Sequence, residues 1–256
     1  MPSRVLLRPI LIALLAVPFL LAGAVNPGAA RPGFAPAPAP LPGLSPDIEE
    51  SVAVALDALS SAVRRRSRED ALRISFEAYY RYRAANPEQV RKPYLYYVDL
   101  GLDNRTGRGY VFDMVSLAVV AGPFMVAHGS GSSRQRDGVP TVFSNRSGSY
   151  ASSLGLYVAE ETYTFRGKSG GRAYTSVGLR MRGESGRFNG AARSRGIVAH
   201  GAPYVTSGAA GRSEGCPAME QARAQRLLPL LADGGVVFIF SPNDDEWLRS
   251  DPWAGI

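Results

Sequence analysis

The sequence predicts a mostly-β domain, a sandwich or barrel, behind a short α-helical prelude. Three observations predict it. From Tyr94 onward, short apolar and aromatic runs recur between Gly-rich turns. Val236-Val237-Phe238-Ile239-Phe240 is an unbroken apolar run, consistent with a strand buried on both faces. One late run of good helix formers, Ala218 to Leu228, follows the single cysteine.

The elements follow in order. Residues 1–25 read as an export signal. Arg4 and Arg8 make a positive n-region, Ile10 to Leu21 an apolar h-region interrupted by Pro18, and Ala22-Gly23-Ala24 offers small residues for cleavage. The stretch is short for a spanning helix, so no membrane span is expected after its removal. Its loss takes the formal charge from +7 to +5. The expected location is the periplasm or cell envelope. Residues 26–46 are rich in Pro, Ala and Gly and read as an extended linker.

Residues 47–92 form the helical prelude. Ser45 or Asp47 suits the cap, and Val52, Leu56, Leu59 and Val63 recur at helical spacing. A second run places Ala71, Ile74, Ala78 and Tyr82 on one face, with Ser67 and Asp70 resembling a capping box and Asn86-Pro87 as the stop. The Tyr79-Tyr80-Tyr82 cluster suits core packing better than sugar stacking.

Residues 93–256 form the main domain. Tyr94 to Leu100 and Gly109 to Val115 read as a hairpin around Asp103-Asn104-Arg105-Thr106-Gly107. Leu117 to Ala127 is an apolar run broken by Gly122-Pro123, and it delivers His128-Gly129. Strands are predicted at Leu156 to Tyr163, at Tyr174 to Met181 and at Ile197 to Ala199.

A formal charge of +7 suits an anionic partner. The sequence carries no nucleic-acid motif, and its Lys and Arg are scattered apart from Arg64-Arg65-Arg66, so nucleic acid is excluded and an anionic cell wall fits. One cysteine excludes an internal disulfide, and a lone thiol in an exported chain stands out. A monomer is expected.

The chemistry concentrates between Ile197 and Met219, IVAHGAPYVTSGAAGRSEGCPAM. Cys216 suits a nucleophile, provided that something lowers its pKa from about 8.5. A nearby imidazole is one lever and a helix N-terminus the other. Pro217 suits the first position of a helix, which would seat Cys216 at or next to its N-cap. Gly215 permits a sharp turn, with the backbone N–H groups at Gly215 and Cys216 aimed at a reacting oxygen. Either histidine, His200 or His128, could act as base, because catalytic partners need be close only in space. Both with Cys216 would suffice for zinc, but their spacing is unlike that of metal ligands.

His-Gly, a Gly-rich loop and Ser-x-Gly-Cys resemble the active-site signature of the YkuD-type L,D-transpeptidases. Ser213, Gly215 and Cys216 match, and His200 takes the upstream histidine position. Glu214 stands where most members have a second histidine, and Pro217-Ala218 replaces the usual pair after the cysteine. Both departures resemble the murein L,D-transpeptidase branch that carries Gly-Cys-Pro-Ala. His128-Gly129, Phe143-Ser144-Asn145 and Ser152-Ser153-Leu154-Gly155 add to the likeness, which covers Tyr94 to Phe240.

The resemblance implies a YkuD-like β-sandwich fold and no cofactor or metal. It implies Cys216 as nucleophile and His200 as base, with the carbonyl of Gly201 orienting the ring. His128, Ser213, Arg212, Tyr204 and Asn145 are expected at the substrate. Arg193 and Arg195 join Arg212 as candidate carboxylate binders. The implied partner is a peptidoglycan stem peptide. Thioester formation with loss of D-Ala, followed by attack of a neighbouring amine, makes a cross-link. Water instead would make the protein an L,D-carboxypeptidase. The rival readings are a wall-binding module with an inert cysteine and a peptidase for ordinary L,L-peptides.

Overall fold

A computed structural model describes residues 46–133 and 138–254. The expected export signal, residues 1–25, and all of the linker before Pro46 lie outside the described residues, as does Ser45. Among the described residues no helix is long and apolar enough to cross a membrane.

Helix α1 (Pro46–Leu59) opens on a proline, which lacks an N–H and suits a first helical position. Val52, Ala55, Leu59 and Val63 are buried. Helix α2 (Ala71–Ala85) buries Ala71, Ile74, Ala78 and Tyr82, the face that the spacing predicts, and ends at Asn86. The capping box is absent. Asp70 makes no side-chain cap, and Ser67 turns away to Asp99, giving its hydroxyl at 2.5 Å and its N–H at 2.8 Å. A buried carboxylate attracts these donors more strongly than a helix end does. Tyr79 and Tyr82 are buried, and Tyr82 meets Trp253 edge-on at 4.8 Å, so they serve packing.

Strands β1 (Tyr94–Asp99) and β2 (Gly109–Asp113) form the predicted hairpin. β3 (Ala118–Phe124) runs straight through Gly122-Pro123, which is a cis peptide, where the sequence suggested a break. Pro is tolerated there because β3 is an edge strand. β4 (His128–Gly129) follows. β5 (Gly155–Ser169) and β6 (Arg172–Gly183) make one long hairpin, far longer than the two predicted runs. Gly170 and Gly171 turn it, with φ of +55° and +79°. Then come α3 (Ala192–Arg195), β7 (Val198–Gly201), β8 (Arg212–Ser213), β9 (Ala218–Met219), α4 (Gln221–Leu231), β10 (Val236–Phe240) and α5 (Asp245–Ser250).

Eight strands form one open sheet in the order β3-β2-β1-β10-β5-β6-β7-β9, and β4 pairs with β8 separately. The sheet is mixed, with β1/β10 and β7/β9 parallel. This corrects the expected sandwich or barrel: the fold is mixed α/β. Helices rather than a second sheet cover the faces. Phe76 of α2 meets Phe112, and Trp247 of α5 meets Phe238 and Phe240, on one face. Tyr96, on the other face, stacks on Phe124 beneath Arg223 of α4. β10 is buried along its whole length, as its unbroken apolar run predicts. The prelude and the main domain contribute to one hydrophobic core.

Candidate active site

Strand β7 carries His200 between β6 and β9, opposite Gly178 and Ala218. Gly201 is required by space, since a Cβ there would come within 2.9 Å of Ala224 on α4. His200 Nδ1 lies 3.0 Å from the Gly201 carbonyl. A carbonyl only accepts, so Nδ1 carries the proton and Nε2 keeps a lone pair. Phe165, on the long hairpin, stacks on the imidazole at 4.0 Å and 15°, and Tyr204 meets it edge-on at 6.5 Å. Burial pulls the ring's pKa down from 6.5 to about 4, against the Gly201 carbonyl. The ring is therefore a neutral base at pH 7.

Cys216 ends the loop after β8 and is 9% exposed. The expected helix lever is absent. Pro217 lies outside a helix, β9 intervenes, and α4 starts at Gln221 with Glu220 as its N-cap. Cys216 therefore does not sit at the N-cap of α4. Burial pushes the thiol up from 9.0 to about 11; the Val198 N–H opposes this, Glu214 adds to it and Arg195 opposes it. The thiol is therefore neutral at pH 7, not the depressed thiolate that the sequence suggested.

Hydroxyls organise the loop around the cysteine. Ser213 Oγ accepts from the Gly215 N–H at 3.2 Å and donates to the Cys216 carbonyl at 2.7 Å. The Gly215 N–H is thus occupied, whereas the sequence reading gave it to an oxyanion. Gly215 has φ +121°, a conformation that favours glycine.

Cys216, His200, Ser213, Arg212 and Tyr204 line one open cleft of about 870 Å³, together with Phe165 and Lys168 of the hairpin. No hydrogen bond joins sulfur and imidazole; the thiol donates to the Gly196 carbonyl, 3.9 Å away, and the Val198 N–H faces the sulfur. Catalytic contacts of this kind commonly tighten when substrate binds.

Three expectations need correction. His128 is fully buried, outside the cleft. Its Nδ1 lies 2.8 Å from the Arg108 guanidinium, which only donates, so its proton sits on Nε2. Burial, Arg108 and Arg212 hold its pKa down near 3. Asn145 ties two loops together, donating to the Arg187 carbonyl and accepting from the Ala191 N–H, each at 3.0 Å, and does not line the cleft. Arg195 lines the cleft but spends its guanidinium on the carbonyls of Ser144 and Ala151, and Arg193 pairs with Glu160 and Glu161. Arg212 reaches the cleft but donates to the Ser133 carbonyl. Among the described residues no group of His, Cys, Asp and Glu could hold a metal.

Residues 64–240 match the family model described as L,D-transpeptidase catalytic domain. The chain belongs to that family. Among solved structures, an L,D-transpeptidase from Mycobacterium smegmatis is 14% identical over 58% of this chain and 58% of its own, with a TM-score of 0.35. One from Mycobacterium tuberculosis H37Rv is also 14% identical, over 58% and 57%, with a TM-score of 0.32. One from Stackebrandtia nassauensis is 14% identical over 77% and 92%, with a TM-score of 0.37. The chain thus spans little more than half the length of the two mycobacterial proteins. No curated protein matches it. The family assignment rests on the family model.

The sequence reading missed two residues that shape this site. Nothing local marked Phe165 as the ring that covers His200. Ser152 stood within a recognisable block, yet no role attached to it.

Proposed function

We propose that this protein is an exported, cysteine-dependent L,D-transpeptidase of peptidoglycan. Its family membership supports the reading. The single observation that carries it is the placement of Cys216 and a neutral His200, whose protonated Nδ1 leaves a lone pair on Nε2, in the lining of one open cleft. The charged n-region and apolar Ile10 to Leu21 support export to the envelope.

The starting pair is a neutral thiol and a neutral imidazole. As Sγ bonds to the acyl carbon of the stem peptide, its proton passes to His200 Nε2. The carbonyl oxygen gathers negative charge, and the Cys216 N–H, unpaired among the described residues, faces that charge. The C–N bond to the terminal D-Ala then breaks, and the imidazolium returns the proton to the departing amine. A thioester remains. An amine of a second stem attacks it, gives a proton to His200, and leaves as a new amide while the thiol reforms. Water in that place gives a carboxylate instead.

A second reading, a wall-binding module with an inert cysteine, is favoured by the raised thiol pKa of about 11. Incubation with a disaccharide-tetrapeptide, read by mass spectrometry beside Cys216→Ala, decides. Loss of D-Ala with cross-linked dimers supports the transpeptidase, and loss without dimers supports the carboxypeptidase. Unchanged substrate with the wild-type chain overturns the peptidoglycan reading and favours the module.

A further inference from the structure

Ser152 is buried and distant in sequence from the nucleophile loop, yet its hydroxyl is bonded into it. Ser152 Oγ accepts from the Gly129 N–H at 3.0 Å and donates to the Gly215 carbonyl at 3.1 Å. Its own N–H donates to Ser132 Oγ at 2.8 Å. The residue is therefore fixed from two sides before it touches Gly215. Close packing fixes the distance as well, because a Cβ on Gly215 would come within 2.9 Å of the Ala151 carbonyl, and one on Gly129 within 2.8 Å of the Ser152 N.

A trans peptide points its carbonyl and its N–H in opposite directions. Holding the Gly215 carbonyl down on Ser152 turns the N–H of the same peptide, that of Cys216, up toward the cleft. The neighbouring donor is not available, since the Gly215 N–H goes to Ser213 Oγ. The Cys216 carbonyl is held by that same hydroxyl. Both carbonyls flanking the Cys216 N–H are thus pinned, and among the described residues this amide has no hydrogen-bond partner.

We propose that Ser152 is a positioning residue that sets the oxyanion-binding amide of Cys216, acting through the Gly215 peptide. The assignment rests on the acyl-transfer reading of the site but not on its substrate. Without the hydroxyl, the Gly215 carbonyl would be buried and unpaired, and the peptide would rotate to satisfy it. Such a rotation carries the amide away from the oxyanion.

The test compares two reactions at the same sulfur in the full chain. Acetylation by p-nitrophenyl acetate passes through an oxyanion: the thioester forms, p-nitrophenol leaves, and the amide is needed. Alkylation by iodoacetamide displaces iodide at a saturated carbon and has no oxyanion. Ser152→Ala is expected to lower acetylation by about 10- to 100-fold, below the roughly 10²- to 10³-fold for deleting such a donor. KM for the ester stays within about threefold, as does the alkylation rate, since an interaction made only in the transition state is removed. Ser152→Thr, which keeps the hydroxyl, recovers most of the loss.

Unchanged acetylation in a folded Ser152→Ala overturns the proposal, as does a parallel fall in acetylation and alkylation. If Ser152→Ala does not fold, Ser152→Cys is read instead: its weaker donor gives a partial, acetylation-only loss, and wild-type acetylation overturns the proposal. A wild-type chain that alkylates but never acetylates overturns both this assignment and the acyl-transfer reading. One that acetylates but ignores the tetrapeptide overturns the peptidoglycan reading alone.

Discussion

The two histidines have the same local sequence and opposite settings. His128-Gly129 and His200-Gly201 each lie on a short strand after an apolar run. At His128 the Nδ1 neighbour is a guanidinium, which forces the proton to Nε2. At His200 it is a carbonyl, which forces the proton to Nδ1. Only His200 presents a basic Nε2, and only His200 lines the cleft. Local sequence thus supplies two candidate bases, and the group opposite one ring nitrogen selects between them. Arg108 itself is fully buried, and burial lowers its pKa to about 10, so it is a costly partner held mainly by the carbonyls of Val126 and Leu102.

The largest expected effect separates the two rings by activity. His200→Gln is expected to lower kcat for D-Ala release by about 10²- to 10⁴-fold with little change in KM. His128→Gln leaves kcat within about threefold. Equal losses in two folded variants would break the comparison, and steady-state kinetics with circular dichroism beside them reads it.

Stability against acid comes next. Both folded-state pKa values are depressed, to about 3 at His128 and about 4 at His200. The unfolded chain therefore binds protons first, and stability present above pH 6.5 is lost as pH falls through that window. At about 1.4 kcal/mol per pKa unit, His128 accounts for several kcal/mol. Melting temperatures at pH 7 and pH 4 should fall less in His128→Gln than in wild type. An identical slope would show that His128 does not titrate on unfolding.

The thiol offers a sharper reading of the His200 side. With a pKa near 11, Cys216 holds on the order of 100-fold less thiolate at pH 7 than an ordinary thiol. Its iodoacetamide rate is expected to climb toward pH 11 without levelling near 9. Glu214→Gln, which removes a charge that raises the thiol, increases the neutral-pH rate a few-fold. A plateau near pH 7 would mean that His200 and Cys216 form an ion pair.

Phe165→Ala carries the smallest effect. The stacked contact is worth roughly 0.5–1.5 kcal/mol. Its loss opens His200 to water, so the imidazole pKa, followed by NMR, rises from about 4 toward 6.5. An unmoved pKa would mean that the strands alone desolvate the ring.

Much of this was legible in the residues. Strand β10 announced double burial through five consecutive apolar side chains, and the faces of α1 and α2 followed helical spacing. The loop around Cys216 was visible because thiol, glycine and proline each restrict what the backbone there can do. The layering was not legible: a strand buried by helices reads like one buried by another sheet. Nor was the gap between Cys216 and α4, because Pro217 suits a helix start and an extended segment equally.

The sequence by itself determined the parts list, namely the thiol, two His-Gly blocks, a prelude of two amphipathic helices and a doubly buried strand. These are matters of residue type and short-range period, which a linear chain carries in full. Only the tertiary structure decided which imidazole faces the cleft, how far burial lifts the thiol, and which hydroxyl pins the Gly215 carbonyl. Those outcomes depend on desolvation and on partners remote along the chain, such as Ser152 for Gly215, 63 residues apart. No local pattern encodes a contact that exists only once the sheet has brought its ends together.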